Sequence, residues 1–94
     1  MKIKIIENFS LVCLGTEFFF FKINDLYAWR VNVGNNSYGD YFKKQKFETN
    51  TDIELFIILA DQAAYTVSRV RGVVGERDFI FGILKAKINF RYAN

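Results

Sequence analysis

The sequence predicts an α+β domain: an antiparallel, hairpin-rich sheet of about five strands, one long helix over about residues 52–71 packed on one face, and a strand at the C-terminus. Three observations carry this expectation. Residues 17–23 and 26–33 are apolar, β-prone runs separated by Asn24-Asp25, a dipeptide that tolerates the positive φ of a tight hairpin turn. Residues 51–72 hold a helix-start signal, apolar residues at helical spacing and a helix-stop signal. Over residues 80–92 apolar and basic residues alternate, which is the period of a strand.

Taken in order, residues 2–7 read as a strand with Ile3 and Ile5 on one face and Lys2, Lys4 and Ile6 on the other. Residues 9–14 form a second candidate strand, apolar on both sides and broken by Gly15-Thr16. The next run contains Phe18-Phe19-Phe20-Phe21. Side chains alternate along a strand, so two rings fall on each face and both faces ask for cover. Pairing Ile23 with Leu26 and stepping outward puts Phe18, Phe20, Lys22, Tyr27, Trp29 and Val31 on one face. The other face carries Phe19, Phe21, Ile23, Leu26, Ala28 and Arg30, and the small Ala28 marks it as the side a helix approaches closely. Residues 34–40 read as a loop from their Gly, Asn and Ser content, and residues 41–48 as a short edge strand or exposed arm.

The helix rests on the most signals. Thr51 and Glu54 have the capping-box spacing, in which each side chain satisfies a backbone N–H of the first turn. Asp52 and Glu54 place negative charge where the helix dipole favours it. Ile53, Phe56, Ile57, Ala60, Ala63, Ala64, Val67 and Val70 follow helical spacing, and Leu55, Ile58 and Leu59 widen the apolar side near the start. Arg69 and Arg71 load the last turn with positive charge and Gly72 terminates it. After a charged turn at residues 75–78, Ile80, Leu84, Ala86, Ile88, Phe90 and Tyr92 alternate with Lys85, Lys87, Asn89 and Arg91. The first part of this segment, residues 79–84, could also be helical, with Gly82 weighing mildly against that.

Length and composition bound the function. The 94 residues suit one domain spanning 1–94, and 51% hydrophobic with 18% aromatic residues marks an ordered globule. The charge of +3 permits nucleic-acid contact without requiring it. Cys13 is the single cysteine, so an internal disulfide is excluded, and its apolar neighbours Val12 and Leu14 predict a buried, inert thiol. No secretory signal and no membrane-length apolar run is visible, which predicts a cytoplasmic protein without a membrane partner.

Enzyme chemistry has few tools here. The chain has no histidine, so histidine-based triads and the usual neutral-pH acid–base group are absent. One cysteine and no histidine argue against a zinc site, and no cofactor is expected. Of the carboxylates, Asp52 and Glu54 are explained by capping, Glu76 and Asp78 by the charged turn, and Asp61 by a solvent-facing helix position.

Two binding surfaces remain as expectations. The first is the aromatic face Phe18, Phe20, Tyr27 and Trp29, whose residue types are enriched in interface cores; it predicts a protein partner or a homodimer, or else a curled sheet whose own core these residues fill. The second is a basic set, Lys43, Lys44, Lys46, Lys85, Lys87 and Arg91, with period two aligning the last three on one strand face; it would suit nucleic acid or an acidic partner. Small size, an abundance of residues with AT-rich codons and the lack of catalytic equipment resemble the style of phage or mobile-element inhibitors, immunity proteins and anti-defence proteins. That resemblance implies a non-enzymatic protein that occludes a partner.

Overall fold

The computed structural model describes residues 5–93, with the backbone alone for 5–7. Four antiparallel strands, β1 (Ile5–Cys13), β2 (Thr16–Ile23), β3 (Leu26–Val33) and β4 (Asn36–Lys43), form one sheet in the order β1-β2-β3-β4. Two helices follow, α1 (Asp52–Arg71) and α2 (Glu76–Arg91). Both lie on the same face of the sheet, α1 over β2 and β3 and α2 over β1. No helix among the described residues is long and apolar enough to cross a membrane.

The three strand connections are two-residue turns, which set the register of every pair. Cys13 pairs with Thr16, Ile23 with Leu26 and Val33 with Asn36. Positive φ occurs at Leu14 (52°), Gly15 (76°), Asn24 (56°) and Gly34 (61°), as tight hairpin turns demand. The predicted hairpin over residues 17–33 is therefore present with the predicted pairing of Ile23 and Leu26.

Three expectations need correction. The two N-terminal segments are one strand over the described residues. A bulge between Ile5 and Glu7 absorbs an extra residue, so polar Asn8 simply faces solvent within β1; residues 2–4 lie outside the described residues. The loop expected over 34–40 is a turn followed by β4, which ends at Lys43. Its Asn, Ser, Gly and Asp are tolerated because this edge strand is largely exposed, with only Tyr38 and Phe42 half-buried.

The third correction concerns the C-terminal strand, which is a helix. The alternation from Leu84 to Tyr92 competes with a second pattern, Ile80, Leu84 and Ile88 at four-residue intervals, and that one is buried. A short connection after α1 favours an antiparallel neighbouring helix over a return to the sheet. Gly75 (φ 82°) turns the chain, and Asp78 adds negative charge near the helix start. Gly82 sits on the exposed side of α2, where its extra backbone freedom is a cost without a packing reason.

The first helix matches its expected bounds. Glu54 N donates to Thr51 Oγ1 at 3.3 Å and Thr51 N donates to Glu54 Oε1 at 3.3 Å, while Gly72 closes the other end with φ 69° and donates to the Ser68 carbonyl. Its buried stripe is Leu55, Phe56, Leu59, Ala60, Ala63, Ala64 and Val67. The three alanines let the helix axis approach the large rings of the sheet. Two polar ties pin the ends of α1. Near the start, Asp52 accepts from Lys22 Nζ (2.7 Å) and from Tyr27 Oη (2.6 Å). At the other end, Arg71 donates to buried Glu76 at 3.0 Å and to the Thr16 hydroxyl, joining the interhelical turn to the β1–β2 turn.

A Gly82→Ala variant should be more stable by about 0.5–1 kcal/mol, because an added methyl meets open space and alanine favours helix. Thermal unfolding monitored by circular dichroism checks this; an unchanged or lowered midpoint would contradict the helical assignment of this segment.

Candidate functional site

The aromatic residues expected to form a binding face are instead the core. Phe18, Phe20, Tyr27 and Trp29 lie on the helix-covered side, none more than 4% exposed. The cause is the pattern across all four strands. The covered side collects Phe9 and Leu11 from β1, Val31 from β3 and Tyr38 and Phe42 from β4. The opposite side collects Asn8, Ser10, Glu17, Arg30, Asn32 and Ser37, which are better left in water.

Phe56 of α1 presses into the covered side. Its ring lies 5.1 Å from that of Phe9, 6.3 Å from Phe20 and 5.8 Å from Tyr27. Trp29 donates its indole N–H to Gln62 Oε1 at 3.3 Å, so even its polar atom is turned to α1.

The open side is the candidate interaction face. Antiparallel register sets Phe21, Ala28 and Tyr41 in one row across β2, β3 and β4, and Phe19, Arg30 and Gly39 in the next. Phe19, Phe21, Ile23, Leu26 and Ala28 are half-buried by one another, and Tyr41 is 68% exposed. Where Ala28 and Gly39 lack bulk, a hollow of about 450 Å³ opens, walled by Phe21, Leu26, Arg30 and Tyr41. Gly39 is required there. A Cβ at that position would stand 2.7 Å from the Trp29 carbonyl oxygen, so any side chain would push the two strands apart. Arg30 is braced by a 2.9 Å bond from Nε to Ser37 Oγ, which holds its guanidinium at the rim.

The basic set does not form one row. On a helix Lys85 and Lys87 point to different sides, about 200° apart. Lys87 Nζ donates to the Val12 carbonyl at 2.6 Å, and the Arg91 guanidinium lies 4.3 Å from the centre of the Phe9 ring. Lys43 pairs with Asp25 at 3.7 Å and Lys44 Nζ donates to the Asn50 carbonyl at 3.0 Å. These two lie at the β4 edge, whereas Lys87 and Arg91 lie over β1, the other edge of the sheet. Lys46 follows β4, beside the ring of Phe47.

The acids serve the fold. Asp61 pairs with Arg77 at 3.0 Å across the two helices, Glu76 with Arg71, and Glu48 accepts from Gln45 N at 3.1 Å. The neighbouring polar cleft contains Trp29, Gln62, Tyr65 and Arg77, and its groups bond or stack on one another. Among the described residues no group of three or more His, Cys, Asp or Glu could hold a metal ion. Cys13 is buried, and burial pushes its thiol pKa up, away from reactivity. Neither a family model, nor a curated protein, nor a solved structure matches this chain.

The Asp52 tie gives the fold a pH signature. Burial alone would raise the Asp52 carboxyl, but the Lys22 and Tyr27 hydrogen bonds outweigh it and the pKa is lowered. Burial and the Asp52 bond raise the pKa of Tyr27, and the Asp52 bond raises that of Lys22. A lowered carboxyl contributes stability that is present above its unfolded pKa of about 3.9 and is lost as pH falls through the folded value. The raised groups contribute stability below about pH 10 that is lost as pH rises further. Asp52→Asn should therefore cost about 1–2 kcal/mol at neutral pH and flatten the stability profile on both flanks. Denaturant melts from pH 3 to 11 check this; parallel profiles for the two proteins would contradict it.

Proposed function

We propose that this protein is a small non-enzymatic interaction module that binds a partner protein through the open face of its sheet and so occludes the partner's own working surface. The observation that supports this reading is the uncovered row Phe21–Ala28–Tyr41 with the hollow beside it. Both helices pack on the other side, so among the described residues no helix or strand lies over this row. An apolar floor with aromatic walls and a braced arginine at the rim matches the make-up of interface hot spots. A bulky apolar side chain of the partner would enter the hollow between Phe21 and Tyr41, and Arg30 would meet its polar surround.

The reading favours protein over nucleic acid because the strongest exposed feature is apolar. The basic side chains divide between the two edges of the sheet. Inhibition by surface occlusion asks for no catalytic group, only a rigid face. The three tight hairpins and the packed helices supply that rigidity.

A photo-crosslinking residue placed at Tyr41 should capture a defined protein in cells, whereas the same residue at Lys85 on α2 should not. The captured protein should then bind the purified wild type and lose at least about tenfold in affinity to Ala28→Arg, which fills the hollow without touching the core. Equal capture from both positions, or unchanged binding by Ala28→Arg, would contradict the assignment.

A further inference from the structure

The second helix carries two apolar stripes. Ile80, Leu84 and Ile88 are fully buried against the domain. Phe79, Ile83, Ala86 and Phe90 recur at intervals of four, three and four residues, the spacing of a seam between two packed helices. Yet Phe79 is 54% and Phe90 83% exposed. At about 100° per residue this second stripe stands roughly 130° around the helix from the first, so it faces outward and away from the sheet. Beside it runs a groove of about 620 Å³ between α2 and β1, lined by Leu11, Ala86, Lys87, Phe90 and Arg91.

We propose that this stripe seats a second copy of the chain, with the two α2 helices side by side and antiparallel about a two-fold axis. The stripe is self-complementary in that arrangement and in one register. A two-fold centred between Leu84 and Lys85 sets Phe79 of each copy level with Phe90 of the other, and Ile83 level with Ala86. Each Phe79 then lies over the groove at Ala86 and Phe90, a knob meeting a hole that is already formed. The same arrangement opposes the two helix dipoles, so the acidic first turn of one helix lies beside the last turn of the other.

A parallel pairing would instead align the two helix dipoles side by side and would set Phe79 against Phe79, away from the groove at Ala86 and Phe90. Phe79 and Phe90 together leave on the order of 250 Å² of ring surface in water per copy, and the groove walls extend the contact toward the roughly 800 Å² per partner of a stable interface. The copy arrives through the helix and not by strand addition, because Lys87 caps the Val12 carbonyl at the edge of β1.

The stripe is distinct from the open sheet face, so the inference stands whether or not that face has a partner. With both domains on the same side of the helix pair, the two open sheet faces splay apart but stay accessible together. The dimer is then a bivalent surface, and a multimeric partner would be held far more tightly than by one copy.

Light scattering on a sizing column, across a concentration series, tests this. The wild type should reach twice the chain mass of 11.0 kDa. Phe79→Glu and Phe90→Lys should each run as a folded monomer, and an equimolar mixture of the two should recover the doubled mass. In the mixed pair one contact becomes Glu against Lys and the other stays Phe against Phe. If a phenylalanine variant fails to fold, Ala86→Arg takes its place, because the substitution is at an exposed position of the same stripe and should also give a folded monomer. A wild type that remains monomeric throughout would overturn the proposal, as would variants that still dimerise. So would a mixture that does not recover the dimer, or a dimer broken by Ala28→Arg but not by Phe79→Glu.

Discussion

The insertion of Phe56 into the sheet is the contact on which the rest of the structure depends. Its ring is fully buried and meets Phe9 of β1, Phe20 of β2, Tyr27 of β3 and, at 6.2 Å, Tyr92 just past α2. One side chain thus joins three strands and both helical segments. A buried phenylalanine is worth about 3–5 kcal/mol on truncation to alanine, a large share of the about 5–15 kcal/mol that holds a small domain together. The alanines at 60, 63 and 64 make the insertion possible, because a helix with bulk at those positions would stand off the sheet. The two polar ties at Asp52 and Arg71 then settle how α1 lies across the strands.

From that contact the choice of faces follows. Because α1 takes the side bearing Phe20, Tyr27 and Trp29, the side bearing Phe21, Ala28 and Tyr41 is left open. The domain therefore shows an apolar row on one side and, on α2, an apolar seam turned away from its core. Both features lie outside the packing that the fold itself needs. The proposed interaction module, with one face for a partner and another for its own copy, would account for both, and the clustering of aromatic residues outside the core suits protein contact.

Part of this was legible in the residues alone. The helix from Asp52 to Arg71 announced itself through Thr51, Glu54 and Gly72, whose roles are local and do not depend on the rest of the chain. The hairpin at Asn24-Asp25 was equally local. The side on which the helix packs was not local. Within β2 and β3 both sides look apolar, and small Ala28 pointed to the wrong one, because the small residues that allow close approach are on the helix. Summing polar residues over all four strands, with Asn8, Ser10 and Ser37 included, separates the two sides, but it requires β4, which composition disguised as a loop. For α2 the residues satisfy two periods at once, and only the tertiary contacts of Ile80, Leu84 and Ile88 decide between them.

The most direct test of this account is which side of the sheet the helices cover. In an NMR spectrum with a soluble paramagnetic agent, the rings of Phe19, Phe21 and Tyr41 should lose intensity strongly, while those of Phe18, Phe20, Tyr27 and Trp29 stay protected and Phe56 shows cross-relaxation to Phe9 and Tyr27. The reverse pattern, with Phe20 and Trp29 attenuated and Phe21 protected, would show that the open face and the core have been exchanged and would contradict the interaction face drawn from it.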